Sequence, residues 1–181
     1  MPSVLFVCLG NICRSPLAEA VFADICKKRG LDIQADSAGT AGYHVGEEPD
    51  ERSTAVCKKH GVPINSTCRQ LAKCDFTRFD YIIGMDSMVR HSSLNTRTTR
   101  AQTDEPVGGV LQNMRNIEKA KPANSTAKIA LFGSFGDGKV IDDPYYGGPN
   151  GFEKTYQQCV QYSEGLLKEM GYGSSDGGGK L

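Results

Sequence analysis

The sequence predicts an α/β fold: a four-stranded parallel sheet with helices on both faces. Three observations carry this expectation. Ser3-Val4-Leu5-Phe6-Val7 is a continuous apolar run of strand length, as suits a strand covered on both sides. Ser15-Pro16 then opens a segment in which Leu17, Ala20, Val21 and Ile25 recur at helical spacing. The same alternation of short apolar strands and helical patterns repeats toward the C-terminus, which favours parallel pairing.

The elements follow in order. Gly10 and Asn11 end the first strand, and Ser15 with Pro16 reads as an N-cap with proline at the first helical position. Ser15 has a second reading, as a hydroxyl facing Cys8. Lys27, Lys28 and Arg29 fill the last turn of this helix and Gly30 stops it. Residues 32–37 read as a second strand and 50–59 as a helix ended near Gly61. Residues 79–85 and 128–132 supply the third and fourth strands. The last helix carries Phe152, Tyr156, Cys159, Val160, Leu167 and Met170 near one face. Residues 92–127 are polar, with one helix around 110–120, and read as a solvated surface insertion; a substrate-contacting flap is the sharper alternative. The expected organisation is one domain over 1–171 and a flexible, Gly- and Ser-rich tail over 172–181.

Composition narrows the function classes. The chain has 181 residues, 39% hydrophobic and 23% charged, enough for a core without metal or disulfide staples. A formal net charge of zero argues against general binding to nucleic acid or a membrane surface. The apolar N-terminus is short and has no basic leader, so no signal peptide is expected, and no apolar run reaches membrane-spanning length. Seven cysteines without framework spacing suit reduced thiols in the cytoplasm. With no Cys-x-x-Cys pair and three histidines, no structural zinc is expected.

The chemistry concentrates in Cys8-Leu9-Gly10-Asn11-Ile12-Cys13-Arg14-Ser15. Chance alone would set an arginine six positions after some cysteine roughly 0.35 times in such a chain, so the spacing needs its context. The context is a loop running from the end of a buried strand to the start of a helix, where open parallel sheets bind ligands. Backbone N–H groups there can converge on an anion, and Gly10 leaves room for close approach. Among such donors Cys8 should ionise readily and attack phosphorus. Arg14 offers a planar fork for two phosphate oxygens. A thiolate cannot protonate a leaving alcohol, so an acid must come from elsewhere. Asp142-Asp143-Pro144-Tyr145-Tyr146 is the candidate, with Asp143 restricted by the proline after it; an ordinary Asp-Pro turn is the alternative.

Together these residues resemble the low-molecular-weight protein tyrosine phosphatases over about residues 3 to 171. The matching blocks are Val4 through Ala20, Asp36-Ser37-Ala38-Gly39-Thr40, Tyr81-Ile82-Ile83-Gly84-Met85-Asp86 and Asp143-Pro144-Tyr145-Tyr146-Gly147. The resemblance implies the flavodoxin-like, Rossmann-like phosphatase I fold and hydrolysis of phosphotyrosyl proteins and small aryl phosphates through a phosphocysteine, with acid phosphatase activity. It implies Cys8 as nucleophile, Arg14 as phosphate ligand and Asp143, which directly precedes the proline, as general acid. Leu9, Gly10, Asn11, Ile12, Cys13 and Ser15 complete the phosphate loop. Asn11, Ser15 and Ser37 would form a network shaping it, and Asp86 would orient Arg14. Tyr43, His44, Glu47, Tyr145 and Tyr146 match the pocket mouth, and both Tyr145 and Tyr146 match regulatory phosphorylation positions. Cys13 would form a reversible disulfide with Cys8 under oxidation.

The implied partners are phosphotyrosyl proteins and, in the loop, inorganic phosphate or similar oxyanions. No cofactor, metal, nucleic acid or membrane is implied; the expected state is a monomer with weak self-association. One departure stands out: where many members carry a histidine in the loop network, alignment puts Ser66. His60 matches a different position and reads as structural. Arsenate reductases share a Cys-x5-Arg loop but relay through further redox cysteines and need no Asp-Pro acid. Arginine phosphatases carry threonine where Ile12 stands, so Ile12 favours phosphotyrosine. A phosphate-binding module without turnover would lack Cys8 or Asp143.

Overall fold

A computed structural model describes residues 1–86, 113–146, 148 and 150–173, with the side chain of residue 146 left aside. Four strands form one parallel sheet: β1 (Ser3–Cys8), β2 (Gln34–Gly39), β3 (Tyr81–Gly84) and β4 (Lys128–Leu131), in the order β2-β1-β3-β4. The helices are α1 (Arg14–Lys28), α2 (Glu51–Lys59), α3 (Asp75–Arg78), α4 (Asn113–Ala120) and α5 (Gly151–Glu169). Short 3-10 turns occupy Phe132–Phe135 and Pro144–Tyr146.

Central β1 is buried along its whole length, and its alternating side chains feed two cores. Val4, Phe6 and Cys8 pack with Leu17, Val21, Phe22, Cys159 and Leu166 of α1 and α5. Leu5 and Val7 pack with Phe76, Phe79, Ile82 and Ile117 on the opposite face. Helices therefore cover both faces. Since β2 lies on one side of β1 and β3 on the other, the order reverses at β1, and a crevice opens at its C-terminal end.

Three expectations change. Helix α1 begins at Arg14, its cap position is Cys13, and no side chain caps it, so Ser15 lies inside the first turn and is not an N-cap. Its hydroxyl is engaged elsewhere, as described below. Strand β2 runs two residues past residue 37, because Ala38 and Gly39 pair with Val7 and Cys8. The polar stretch after Asp86 is not wholly a solvated insertion. Helix α4 buries Ile117 against the sheet, and the Thr126 and Ala127 amides bond to the Phe76 carbonyl. The packing is close at Gly84, where a Cβ would lie 2.6 Å from Met114 Sδ. Residues 87–112, and 174–181 of the expected tail, lie outside the described residues. His60 stacks on Tyr156 with ring centroids 4.0 Å apart and pairs with Glu153 at 2.8 Å, a tie between α2 and α5.

Candidate active site

The loop between β1 and α1 sits at the reversal of strand order, and its carbonyls are turned away from the crevice. Thr40 N donates to Cys8 O, Ala41 N to Leu9 O, Asp50 N to Ile12 O and Ser53 Oγ to Cys13 O. A peptide's N–H points opposite to its C=O, so the amides of Gly10, Cys13 and Arg14 face inward together, as anion sites require. The close approach of β2 depends on Gly39, where a Cβ would meet Leu9 O at 2.8 Å. Leu9, Gly10 and Ile12 are half-buried, while Cys8, Asn11 and Cys13 are buried.

Asn11 holds the loop's bend. Its φ of 57° is left-handed, a conformation asparagine tolerates better than other side chains. Its Nδ2 donates to Ser15 Oγ and to Ser37 Oγ, each at 2.9 Å, and its Oδ1 accepts from Arg69 N at 2.8 Å. Ser37 Oγ in turn donates to Glu19 Oε2 at 2.6 Å, and Ser66 hydrogen-bonds to the same carboxylate. Donor counting then fixes the direction of the chain. An ionised Glu19 accepts only, so Ser37 spends its proton there and receives from Asn11. Ser15 likewise receives from Asn11, which leaves its single proton for Cys8 Sγ at 3.1 Å or Ala38 O at 3.4 Å. Burial pushes the Glu19 carboxyl upward, against the hydrogen bond from Ser37.

Arg14 is 2% exposed and spans the crevice. Its Nη1 donates to Asp86 Oδ2 at 2.6 Å and to the Ile141 carbonyl at 3.2 Å, and its Nη2 donates to Asp143 Oδ2 at 3.1 Å. Burial opposes the guanidinium charge, but Cys8, Asp143 and Asp86 outweigh it and hold Arg14 above its ordinary value. Burial pushes the Asp86 carboxyl up, and the adjacent guanidinium counters that rise. The Asn113 backbone amide donates to Asp86 Oδ1 at 2.9 Å. With its side-chain nitrogen toward Asp86 Oδ2 at 2.8 Å, the Asn113 oxygen receives Leu9 N at 3.2 Å. Of the adjacent acids, Asp143 faces Arg14 and is 18% exposed, while Asp142 is 67% exposed and pairs with Lys154.

The residues expected at the pocket mouth differ in exposure and contacts. Tyr43 is 75% exposed and Tyr145 is 52% exposed. His44 lies over Gly10 and pairs through Nδ1 with Glu47 Oε2 at 2.8 Å. The Tyr145 amide donates to Asp143 Oδ1 at 3.0 Å, which steadies that carboxylate. The Cys13 thiol hydrogen-bonds to Asp50, and burial pushes it well above an ordinary thiol. Among the described residues no cluster of His, Cys, Asp and Glu could hold a metal ion.

Glu19, Asn113, Asp50, Ser53 and the Ile141 carbonyl were not singled out by the sequence. Glu19 had a usable signal: it stands one turn after Ser15 on the same helical face, behind the loop. The others reach the site from distant elements and carry no local signature.

The geometry has counterparts in known proteins. The family model described as low molecular weight phosphotyrosine protein phosphatase matches residues 3–105. A Schizosaccharomyces pombe protein of that name is 43% identical over 173 residues, covering 92% of this chain and 96% of its own. A solved protein tyrosine phosphatase from Entamoeba histolytica, with Hepes in its active site, superposes with a TM-score of 0.77 at 31% identity, covering 94% of this chain and 97% of that one. A Drosophila arginine phosphatase superposes with a TM-score of 0.72 at 34% identity, covering 96% and 98%.

Proposed function

Because the chain belongs to the low-molecular-weight phosphotyrosine protein phosphatase family, we propose that it hydrolyses phosphotyrosyl proteins and small aryl phosphates through a phosphocysteine on Cys8. The observation that carries this reading is Arg14 bridging Asp86 and Asp143 at the end of the Cys8 loop. It brings a phosphate-binding fork and a carboxyl group together across 129 positions of sequence.

The phosphate enters among the inward amides. Asp86 and the Ile141 carbonyl occupy Nη1, so the fork for two phosphate oxygens is the Nε–Nη2 edge of Arg14, with Nη2 shared between phosphate and Asp143. Cys8 Sγ attacks phosphorus, the S–P bond forms, and the ester P–O bond breaks. Asp143 gives its proton to the departing oxygen. The same donors hold the equatorial oxygens as charge develops there. In the second step Asp143 takes a proton from water, the water oxygen attacks phosphorus, and S–P breaks. The Ser15 hydroxyl stabilises the thiolate that leaves. No organic cofactor or metal is called for by this donor set. The single catalytic unit spans residues 1–171, and acid phosphatase activity on small esters follows from the same steps.

Oxidation gives the site an off-state. Peroxide converts Cys8 to a sulfenic acid. Cys13 passes its proton to the adjacent Asp50 and attacks that sulfur, the S–O bond breaks as the disulfide forms, and the departing hydroxide takes the proton back from Asp50 and leaves as water.

The substrate class is tested with matched phosphotyrosine, phosphoserine and phosphoarginine peptides. The apolar Ile12 and the aromatic residues expected at the pocket mouth favour an aryl ester, so phosphotyrosine should be turned over fastest. Faster release from phosphoarginine would replace this reading by an arginine phosphatase.

A further inference from the structure

A second groove opens beside the site, and its chemistry differs from that of the phosphate loop. Arg52, Ala55, Val56 and Lys59 recur along one face of α2 and form one wall. Phe152, at the start of α5, and Tyr145 form the other, and the volume is roughly 700 Å3. The groove is tied to the catalytic crevice at two points. Tyr145 lines it while its amide donates to Asp143. The turn that begins α2 is bonded to the phosphate loop, through Asp50 N to Ile12 O and Ser53 Oγ to Cys13 O.

Its cations are already matched. Arg52 pairs with Asp50 at 2.8 Å and lies over the Tyr145 and Phe152 rings, each centroid 4.8 Å from its Cζ. Lys59 pairs with Glu153 at 2.9 Å. What the groove offers a ligand is therefore an apolar lining of Ala55, Val56 and Phe152, beside a guanidinium that lies over two rings. An acidic side chain would have to break an existing pair to bind; an apolar one need not.

We propose that this groove is a subsite for an apolar side chain flanking the phosphotyrosine of a peptide substrate, an assignment that rests on the phosphatase reading. A chain leaving the crevice over Tyr145 reaches the groove within about one to three residues of the phosphotyrosine, at roughly 3.3 Å per residue. Small aryl phosphates have no such segment and gain nothing from it.

The test compares kcat/KM of the full chain for p-nitrophenyl phosphate and two sets of phosphotyrosyl peptides. One set carries leucine at the three positions on either side of the phosphotyrosine, the other serine. The expected preference for a leucine set is about tenfold, what a partly buried leucine contributes. Ala55→Trp fills the groove and should abolish that preference while p-nitrophenyl phosphate turnover stays unchanged. Ala55→Glu, which leaves more room but charges the lining, should do the same and guards against a folding defect of the larger residue. Equal kcat/KM for leucine and serine peptides with the wild-type chain overturns the subsite, as does a preference that survives both variants. Loss of p-nitrophenyl phosphate turnover in both variants overturns it too, since the groove would then belong to the catalytic machinery. A wild-type chain that releases no phosphate from p-nitrophenyl phosphate sinks the phosphatase reading itself, and the subsite with it.

Discussion

The hydrogen bonds that reach Cys8 through Ser15 diverge from Asn11, whose other branch runs through Ser37 to Glu19, and replacing that carboxylate by an amide disturbs the branch point. In Glu19→Gln the new NH2 can face Ser37, which would turn the Ser37 hydroxyl toward Asn11 Nδ2, donor against donor. The expected cost is about three- to tenfold in kcat, near 1 kcal/mol, since the amide oxygen can still be turned inward. Stability should move the other way. Burial holds the folded Glu19 carboxyl above its ordinary 4.5. The folded chain therefore keeps a proton that the unfolded chain has released, and stability falls as pH rises through the window above 4.5. Urea midpoints measured upward from that pH should decline in the wild type relative to Glu19→Gln; parallel profiles would mean that Glu19 is not strained by its charge. Asp143 answers to a different assay. Asp143→Asn should lower kcat for an alkyl phosphate by about 10²-fold or more, and far less for p-nitrophenyl phosphate, whose leaving group needs little protonation. Equal losses on both esters would remove Asp143 from the acid role.

At the scale of elements, β1, α1 and α5 were legible because each carries a dense apolar pattern: a run with no interruption, or a stripe at helical spacing. Helix α3 has four residues, too few to establish a period, and is held by Phe76 and by Asp75, which accepts from Arg69 and the Ala72 amide. Helix α4 was expected around 110–120, but its burial against the sheet was not. Its buried face rests on Ile117 and Met114 amid polar neighbours, and its first residue, Asn113, is buried to serve Asp86. Ile117→Ala should therefore cost about 2–5 kcal/mol in urea unfolding, as a buried isoleucine does. A change within about 0.5 kcal/mol would return residues 113–127 to the status of a surface insertion. The phosphate loop was legible as a strand-to-helix connection, but the reason its amides point inward was not. That reason lies in Thr40, Ala41, Asp50 and Ser53, which draw its carbonyls outward from two other elements.

Across the whole molecule the seven cysteines divide by environment. Burial pushes the Cys57 thiol up to about 12 and the Cys26 and Cys68 thiols up to about 11, with Cys159 well above the ordinary value. These thiols stay protonated and packed at neutral pH, so peroxide should act on the crevice cysteines and on the exposed Cys74. Wild-type activity lost to peroxide should return with dithiothreitol, whereas Cys13→Ser, unable to close a disulfide, should recover little as Cys8 proceeds to the sulfinic acid. Full recovery of the variant would remove Cys13 as the protecting partner. The covalent step itself is read most directly by quenching the chain in acid during turnover of an aryl phosphate and locating the phosphoryl group by peptide mass. One phosphoryl group on Cys8 in the wild type, with none and no turnover in Cys8→Ser, is the result expected. Continued turnover by Cys8→Ser, or a phosphoryl group on any other residue, would contradict it.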